Sequence, residues 1–305
     1  MNARQLRAIA LGLAVLLALW GASELLSHGS DKTTGTLRFP PLSSAAVDSV
    51  SITHGADTVQ LAKGATGAWT VNAFPASSTA VADLFTAFAD STPELAAESP
   101  SSFARMGVDS PAGRLVRVHG GGKTLVQVFV GGRGPNFDAA YVRVPGDTRV
   151  YLWPGSLTTV AERGVDDWRE KRIAGVPPES IAVIEIERGR KAYQLRKQGT
   201  TWALGPASKP APADSTTVAR YVEQFRRVTA AGFASAHQVD SLRSTRPVRR
   251  VTLRGASGHE LLALALDTAA TGFWAHRAGD PIVYRLEFWQ ADQLTPTEQA
   301  LAKKK

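Results

Sequence analysis

Residues 119–122 spell HGGG, a string that can form the oxyanion hole of lipases and esterases. Glycine suits that task because it lets backbone N–H groups approach a developing oxyanion. The same chemistry needs a serine nucleophile on a G-x-S-x-G turn, which the sequence lacks. The residues on both sides alternate between apolar and polar, as strands do. We therefore predict that these glycines form the turn of a β-hairpin and not an esterase site.

Gly122, Lys123 and Thr124 have the order found at the end of a Walker A loop, which binds nucleotide phosphates. Arg117 stands five residues before Gly122, where that motif requires a glycine. The residues that follow, TLVQVFV, predict a strand, whereas a phosphate site of this kind needs the first turn of a helix. The sequence therefore does not predict nucleotide binding.

Residues that bind metals show no local pattern. The sequence has no cysteine, which excludes disulfides, iron–sulfur clusters, thiolate zinc sites and cysteine nucleophiles. The histidines are His28, His54, His119, His237, His259 and His276. No two of them are spaced so that they share one face of a strand or helix. We therefore expect no metal or other cofactor, although a site assembled from residues distant in sequence stays open.

Asp166 and Asp167 are adjacent carboxylates that could serve as a general acid and a general base. Adjacent residues point in different directions on a helix, and Arg169, Lys171 and Arg172 follow at once. This spacing suits salt bridges between the domains better than catalysis. We assign no catalytic residue and expect that the protein is not an enzyme.

Five tryptophans, Trp69, Trp153, Trp202, Trp274 and Trp289, could form a stacking surface for sugars, quinones or pigments. They fall at positions that predict strands, or close to them, and two of them recur at equivalent places in the repeat described below. We therefore predict that the tryptophans pack in the hydrophobic cores.

The elements that position these side chains belong to a folded, globular chain. Its 305 residues are 44% hydrophobic and 20% charged, which excludes collagen-like, coiled-coil and wholly disordered proteins. At roughly 100 to 200 residues per domain, the chain can form two domains or one domain built twice.

Two windows of the sequence, residues 47–69 and residues 181–202, align with a single one-residue gap. Val50 then matches Ile184, and a tryptophan ends each window. Each window alternates apolar and polar residues around a glycine, which predicts a β-hairpin. The sequence therefore predicts an internal repeat.

The correspondence continues downstream of each hairpin. Apolar residues at i, i+3, i+4 and i+7 begin at Val81 in the first copy and at Val218 in the second, which predicts one amphipathic helix in each. Ser77, Ser78 and Thr79 precede the first helix, and Asp214, Ser215 and Thr216 precede the second. These residue types cap free backbone N–H groups. Further strand–turn–strand patterns recur in both copies. We predict an α+β fold of two similar repeats, each a mostly antiparallel sheet plus a helix.

The N-terminal segment has the pattern of a membrane anchor. Arg4 and Arg7 precede the uncharged residues 8–23, which as a helix would span roughly 24 Å. Cleavage as a signal peptide, before Glu24, is the alternative. The arginines favour a cytoplasmic amino terminus, with the bulk of the chain on the other side of the membrane. The predicted anchor residues are Leu11, Leu13, Val15, Leu16, Leu17, Leu19 and Trp20.

The predicted organisation has six parts. Residues 1–28 form a cytoplasmic stub and transmembrane anchor, residues 29–46 a stalk, residues 47–165 the first repeat, residues 166–180 a charged connector with a short helix, residues 181–295 the second repeat and residues 296–305 a basic tail.

Charge is concentrated in the second copy. Residues 181–305 hold 19 Lys and Arg against 11 Asp and Glu, which accounts for the whole net charge of +8. This surplus predicts a basic face for anionic lipid head groups or an acidic subunit; an ordinary solvated surface is the alternative. Arg246, Arg250 and Arg254 are spaced by four, so they share one face of a strand. Arg249 then points to the other side. The candidate interaction residues are Arg226, Arg227, Arg246, Arg250 and Arg254.

Several motifs together resemble one known family. They are a strand leading to W-x-V or W-x-L (residues 69–71 and 202–204), Pro75, Pro212 and Asp214 before the helices, an F-x-x-x-G-hydrophobic-D-x-P run (residues 103–111), and the joint DDWREKR (residues 166–172). These motifs resemble the DUF4340 family, a domain of unknown function found in bacterial envelope proteins. The resemblance covers about residues 45–295. The second copy departs from the pattern, because Arg246 and Pro247 stand where the G-hydrophobic-D-x-P run would fall.

Members of this family look like membrane-anchored extracytoplasmic subunits that accompany ABC-type transporters. The resemblance therefore implies a single-pass protein of the bacterial inner membrane, with its globular part in the periplasm. It implies no catalytic residues.

Two classes of function fit these observations. In the first, the protein is a non-catalytic accessory or scaffold subunit of a larger inner-membrane complex, such as an ABC-type transporter or a photosynthetic reaction centre with its antenna. In the second, it is an extracytoplasmic ligand-binding module or enzyme whose site forms only in three dimensions. We favour the first, with an integral-membrane protein complex and the lipid bilayer as partners and without nucleic acid.

Overall fold

A computed structural model of the chain describes residues 37–89, 92–135, 137–206, 208–235, 237–239 and 247–303. The chain divides into two compact units, one made of Met1–Thr58 and Leu84–Glu162 and the other of Val59–Asp83 and Arg163–Lys305. The predicted anchor, with Leu11, Leu13, Val15, Leu16, Leu17, Leu19 and Trp20, lies outside the described residues. Among the residues that are described, no helix is long and apolar enough to cross a membrane.

The first sheet is formed by nine strands: β1 (Ser49–His54), β2 (Asp57–Lys63), β3 (Trp69–Val71), β4 (Phe74–Pro75), β5 (Glu94–Ala97), β6 (Arg114–Gly120), β7 (Lys123–Arg133), β8 (Ala139–Arg143) and β9 (Val150–Pro154). Their order across the sheet is β4-β3-β2-β1-β6-β7-β8-β9-β5. The pairs whose register is defined, such as β6 with β7, are antiparallel.

The second sheet contains β11 (Val183–Arg188), β12 (Lys191–Gln198), β13 (Thr201–Leu204), β14 (Ala211–Pro212), β16 (Gly232–Phe233), β17 (Arg249–Arg254), β18 (Glu260–Ala269), β19 (Gly272–Arg277) and β20 (Val283–Leu286). Their order is β14-β13-β12-β11-β17-β18-β19-β20-β16. A separate antiparallel pair joins β10 (Arg172–Ala174) to β15 (Val228–Thr229).

The two sheets have the same strand order, which confirms the predicted internal repeat. Val50 lies opposite Val118 in the first sheet, and Ile184 lies opposite Leu253 in the second. Gly120 of the HGGG string ends β6, and Gly121 and Gly122 form the predicted turn to β7. Gly121 and Gly122 there have φ of 57° and 73°, a conformation that favours glycine and matches the twist of a hairpin.

The helices are α1 (Ser78–Ala87), α2 (Phe103–Met106), α3 (Leu157–Ala161), α4 (Val165–Trp168), α5 (Ser215–Glu223), α6 (Phe288–Leu294) and α7 (Glu298–Leu301). Short 3-10 turns cover Pro100–Ser102, Pro178–Ser180 and Gln224–Arg226. Helices α1 and α5 are the two predicted amphipathic helices. Their predicted caps are present, since the Ala80 N–H donates to Ser77 Oγ (3.3 Å) and the Thr217 N–H donates to Asp214 Oδ1 (2.7 Å). In the connector, the predicted short helix is the single turn α4, and the chain then enters β10.

The core of the second sheet lies on one of its faces. Alternate residues of β11 and β17, such as Ile184 and Val251, are fully buried there together with Phe225 of the 3-10 turn that follows α5. The prediction that the tryptophans pack in the cores is wrong for Trp289, which is 60% exposed. It is also wrong for Trp274, which is half-buried and alternates along β19 with the core residues Phe273 and Ala275. The buried side of α6 is marked by Ala291 and Leu294, and Trp289 faces away from that side.

Candidate functional site

The outer face of the second sheet, opposite its core, carries the strongest group of candidate residues. On β17, Arg250 and Arg254 alternate with the buried core residues Val251 and Leu253. Because successive strand residues point to opposite faces, both arginines lie on the outer face. Arg250 is exposed and Arg254 is half-buried. Arg246, the third residue predicted for this face, lies outside the described residues.

A shallow depression of about 400 Å³ lies on this outer face. Small residues, Ala263 and Ala265 of β18, form part of its lining, and charged residues from β11, β17 and β19 surround them. The charges alternate in sign: Glu187 lies directly opposite Arg250 across the strands, and Arg254 Nε lies 3.3 Å from Glu185 Oε2. The lining includes Glu187, Arg250, Ala263, Ala265 and His276.

His276 forms part of this lining from β19. Its Nε2 atom lies 3.3 Å from Oδ2 of Asp267, a carboxylate that is 5% exposed. Within the described part of the chain, His276 Nε2 makes no hydrogen bond with this carboxylate. His276 is also directly opposite Ala265 in the strand register.

Arg249 points to the other side of the sheet from Arg250. Its Nη1 donates to Asp292 Oδ1 (2.7 Å), and its guanidinium carbon lies 4.3 Å from the ring centre of Phe273. Arg188 Nη2 donates to the same carboxylate oxygen (2.9 Å). The pKa of Asp292 is lowered, chiefly by the hydrogen bond from Arg249. Arg249 therefore ties β17 to α6 and does not join the outer face.

The remaining candidates, Arg226 and Arg227, lie away from the depression. They follow α5, which packs on the core side of the sheet. Arg226 Nε donates to Glu223 Oε1 (2.6 Å), and this hydrogen bond raises the pKa of Arg226. Arg227 is exposed and lines a separate depression beside Trp289. The structure therefore brings together Arg250 and Arg254 but not Arg226 and Arg227.

Comparison with known proteins gives one result. The family model "Domain of unknown function (DUF4340)" matches residues 69–247, which is more than half of the chain. The chain belongs to the DUF4340 family. No curated protein and no solved structure gave a significant match.

The F-x-x-x-G run of this DUF4340 protein covers part of the outer face of its first sheet. Helix α2 ends at Gly107, whose φ of 67° favours glycine. Phe103 and Val108 pack there against Phe129 of β7 in one apolar cluster. The guanidinium carbon of Arg143 lies 4.2 Å from the ring centre of Phe103 and 4.7 Å from that of Phe129. Burial lowers the pKa of Arg143, and its Nε donates to the Val108 carbonyl (2.9 Å).

A second buried arginine lies at the DDWREKR joint, within the unit that holds the second sheet. The guanidinium carbon of Arg169 lies 3.8 Å from the ring centre of Phe74 and 3.4 Å from that of Phe233. Burial lowers the pKa of Arg169, and its Nη1 donates to Asp166 Oδ1 (3.2 Å). The charge of the joint suggested salt bridges, but nothing in the sequence identified the two rings, because they are far from Arg169 along the chain.

Proposed function

We propose that this DUF4340 protein is a non-catalytic, single-span accessory or scaffold subunit of a larger inner-membrane complex. Residues 8–26 hold it in the bilayer with the amino terminus in the cytoplasm. The two repeats then lie in the periplasm, where they contact an integral-membrane partner.

The observation that carries this proposal is the outer face of the second sheet. Its depression is shallow and open and has charged side chains at its rim, as expected of a surface that contacts another protein. The exposed Arg250 and the half-exposed Arg254 would add long-range attraction to an acidic subunit or to anionic lipid head groups. The net charge of +8, all from residues 181–305, favours the same partners.

The anchor rests on the sequence alone. Arginines precede the apolar stretch and acidic residues follow it, which favours an amino terminus in the cytoplasm. An anchored chain with a stalk would keep both repeats close to membrane-embedded partners.

Purification of the native, full-length protein in mild detergent tests the proposal. We expect a stoichiometric membrane complex, whose other members mass spectrometry identifies as a transporter or as another assembly. The amount of this complex recovered with the double variant Arg250→Glu and Arg254→Glu should be lower than with the wild type. A matched control, Arg190→Glu and Lys191→Glu, reverses the same number of charges at an exposed hairpin turn and should leave recovery unchanged. A lone chain with a bound small molecule would instead favour a ligand-binding module and contradict the proposal.

A further inference from the structure

The two repeats can be compared residue by residue, because their strand order is the same. In the first sheet, Phe129 lies opposite Leu115 on one side and Arg143 on the other. At the same place in the second sheet, Ala265 lies opposite Arg250 and His276. Phe129 and Ala265 are therefore equivalent positions on the outer faces of the two sheets.

In the first repeat, this place is filled by the chain itself. Phe129 is 8% exposed and packs with Met106, Val108 and Val150 in one cluster. Its ring and that of Phe103 lie against the guanidinium of Arg143, at 4.7 Å and 4.2 Å. Such contacts between a cation and aromatic faces stabilise a buried arginine.

In the second repeat, the described residues place no aromatic ring at this position, and His276 stands where the first repeat has Arg143. Ala265 leaves a depression where Phe129 fills the first sheet, and exposed Arg250 replaces apolar Leu115 at its edge. Within the described part of the chain, Arg250 has no ion-pair partner or aromatic ring against its guanidinium. His276, whose Nε2 lies 3.3 Å from Asp267 Oδ2, forms another edge.

We propose that the depression over Ala265 binds an aromatic side chain of a partner polypeptide. The inserted ring would rest on the methyl groups of Ala263 and Ala265, with the guanidinium of Arg250 on one side and the imidazole of His276 on the other. It would thus take the place that Phe129 occupies in the first repeat. This inference rests on the proposed function, since it names how the partner subunit is held.

The charge pattern favours an aromatic ring over a strongly acidic segment at the floor of the depression. Glu187 is directly opposite Arg250, and Arg254 is already paired with Glu185. These carboxylates would repel acidic side chains that reach the floor, whereas a neutral ring meets no like charge. Arg250 thus serves both long-range attraction and close recognition, while the carboxylates beside it exclude acidic side chains from the floor.

The absence of cysteine makes a direct test possible, because Ala265→Cys gives the full-length protein a single thiol. The purified variant is equilibrated with an aromatic reagent, the disulfide of N-phenylacetyl-cysteamine, or with an aliphatic one, the disulfide of N-hexanoyl-cysteamine, at a fixed concentration of 2-mercaptoethanol. Each reagent forms a mixed disulfide with the thiol, and intact-mass spectrometry gives the fraction of the protein that is labelled. Ala192→Cys is the matched control, because Ala192 is exposed on the same sheet face but outside the depression. We expect the aromatic reagent to be favoured about fivefold over the aliphatic one at residue 265. No such preference should appear at residue 192, and Arg250→Leu should abolish the preference at residue 265.

Equal labelling by the two reagents at residue 265 would overturn the proposal. So would a thiol at residue 265 that reacts with neither reagent while the control reacts, because the depression would then already be filled. This measurement needs no partner, so its failure is separate from a failure to purify a complex.

The partner is tested by filling the depression from within. Ala265→Phe recreates the side chain of the first repeat, and we expect it to lose the co-purifying subunit while Ala192→Phe keeps it. Retention of the complex by Ala265→Phe would overturn the docking role.

Discussion

Replacing Arg169 by lysine tests whether the stacked guanidinium holds the joint of the protein together. Arg169 is 6% exposed, between the rings of Phe74 and Phe233. A lysine ammonium keeps the charge, but it is more strongly hydrated and cannot lie flat against two rings. The backbone around it makes two hydrogen bonds, from the Ser77 N–H to the Trp168 carbonyl (2.8 Å) and from the Glu170 N–H to the Pro75 carbonyl (2.9 Å).

The expected loss follows from the surroundings of each ring. Phe74 is 40% exposed, so its contact with the cation contributes about 0.5 to 1 kcal/mol, whereas the contact with buried Phe233 contributes up to about 2 kcal/mol. Lysine retains part of this attraction, and the pair with Asp166 adds little because that carboxylate is 57% exposed. We therefore expect Arg169→Lys to destabilise the joint by about 1 to 2 kcal/mol.

Native-state hydrogen exchange at Ser77 and Glu170 measures this loss locally, without assuming that the whole chain unfolds in one step. A loss of about 1 to 2 kcal/mol corresponds to amide protection that is about 5- to 30-fold lower. Phe74→Leu, which removes only the exposed ring, should give the smaller part of this effect. Protection that stays within about twofold of the wild type in Arg169→Lys would refute the reasoning, since the geometry of the two rings would then contribute nothing measurable.

Three further outcomes are expected. Amino-terminal sequencing of the mature protein should find the anchor retained, and a chain that begins near Glu24 would contradict it. Recovery of the native complex should decrease as the salt concentration rises from about 0.1 M to about 1 M, because salt screens the exposed charges. Reversal of Arg250 and Arg254 should flatten that dependence, and identical salt curves for the two proteins would remove these arginines from the interface. Because Arg249 lowers the pKa of Asp292, the pair stabilises the fold above the unfolded pKa of roughly 4 and loses this effect as pH falls through the lower folded pKa. The melting temperatures of wild type and Asp292→Asn should therefore converge in acid, and a constant difference would contradict this.

Local patterns in the sequence were sufficient to predict the repeat. Alternation of apolar and polar residues around a glycine depends only on neighbours, so the hairpins β1–β2 and β11–β12 could be recognised and aligned. The two amphipathic helices and their caps at Ser77 and Asp214 followed in the same way. The common strand order of the two sheets confirms that these patterns mark the same element in both copies.

Contacts between distant residues could not be predicted in this way. Arg143 meets Phe103 only because the chain returns across the first sheet, and Arg169 meets Phe233 only in the folded unit. The basic residues of the second copy also looked like one group in the sequence. Folding places Arg250 on the outer face and Arg249 on the core side, because successive residues of a strand point to opposite faces. Arg227 follows α5 instead and lies beside α6.

The two repeats differ at the equivalent positions of Phe129 and Ala265, and the difference concerns what covers each sheet. The first repeat fills the outer face of its sheet with Phe129 and covers it with Phe103 and Val108, so the cation of Arg143 is satisfied inside the fold. The second repeat has Ala265 at that place and exposed Arg250 beside it. It therefore buries less apolar side-chain surface there than the first repeat does. Replacing a buried phenylalanine by alanine typically costs about 3 to 5 kcal/mol in a folded protein. The second repeat instead has a depression with charged side chains at its rim, which binding of a partner's aromatic side chain would explain better than stability alone.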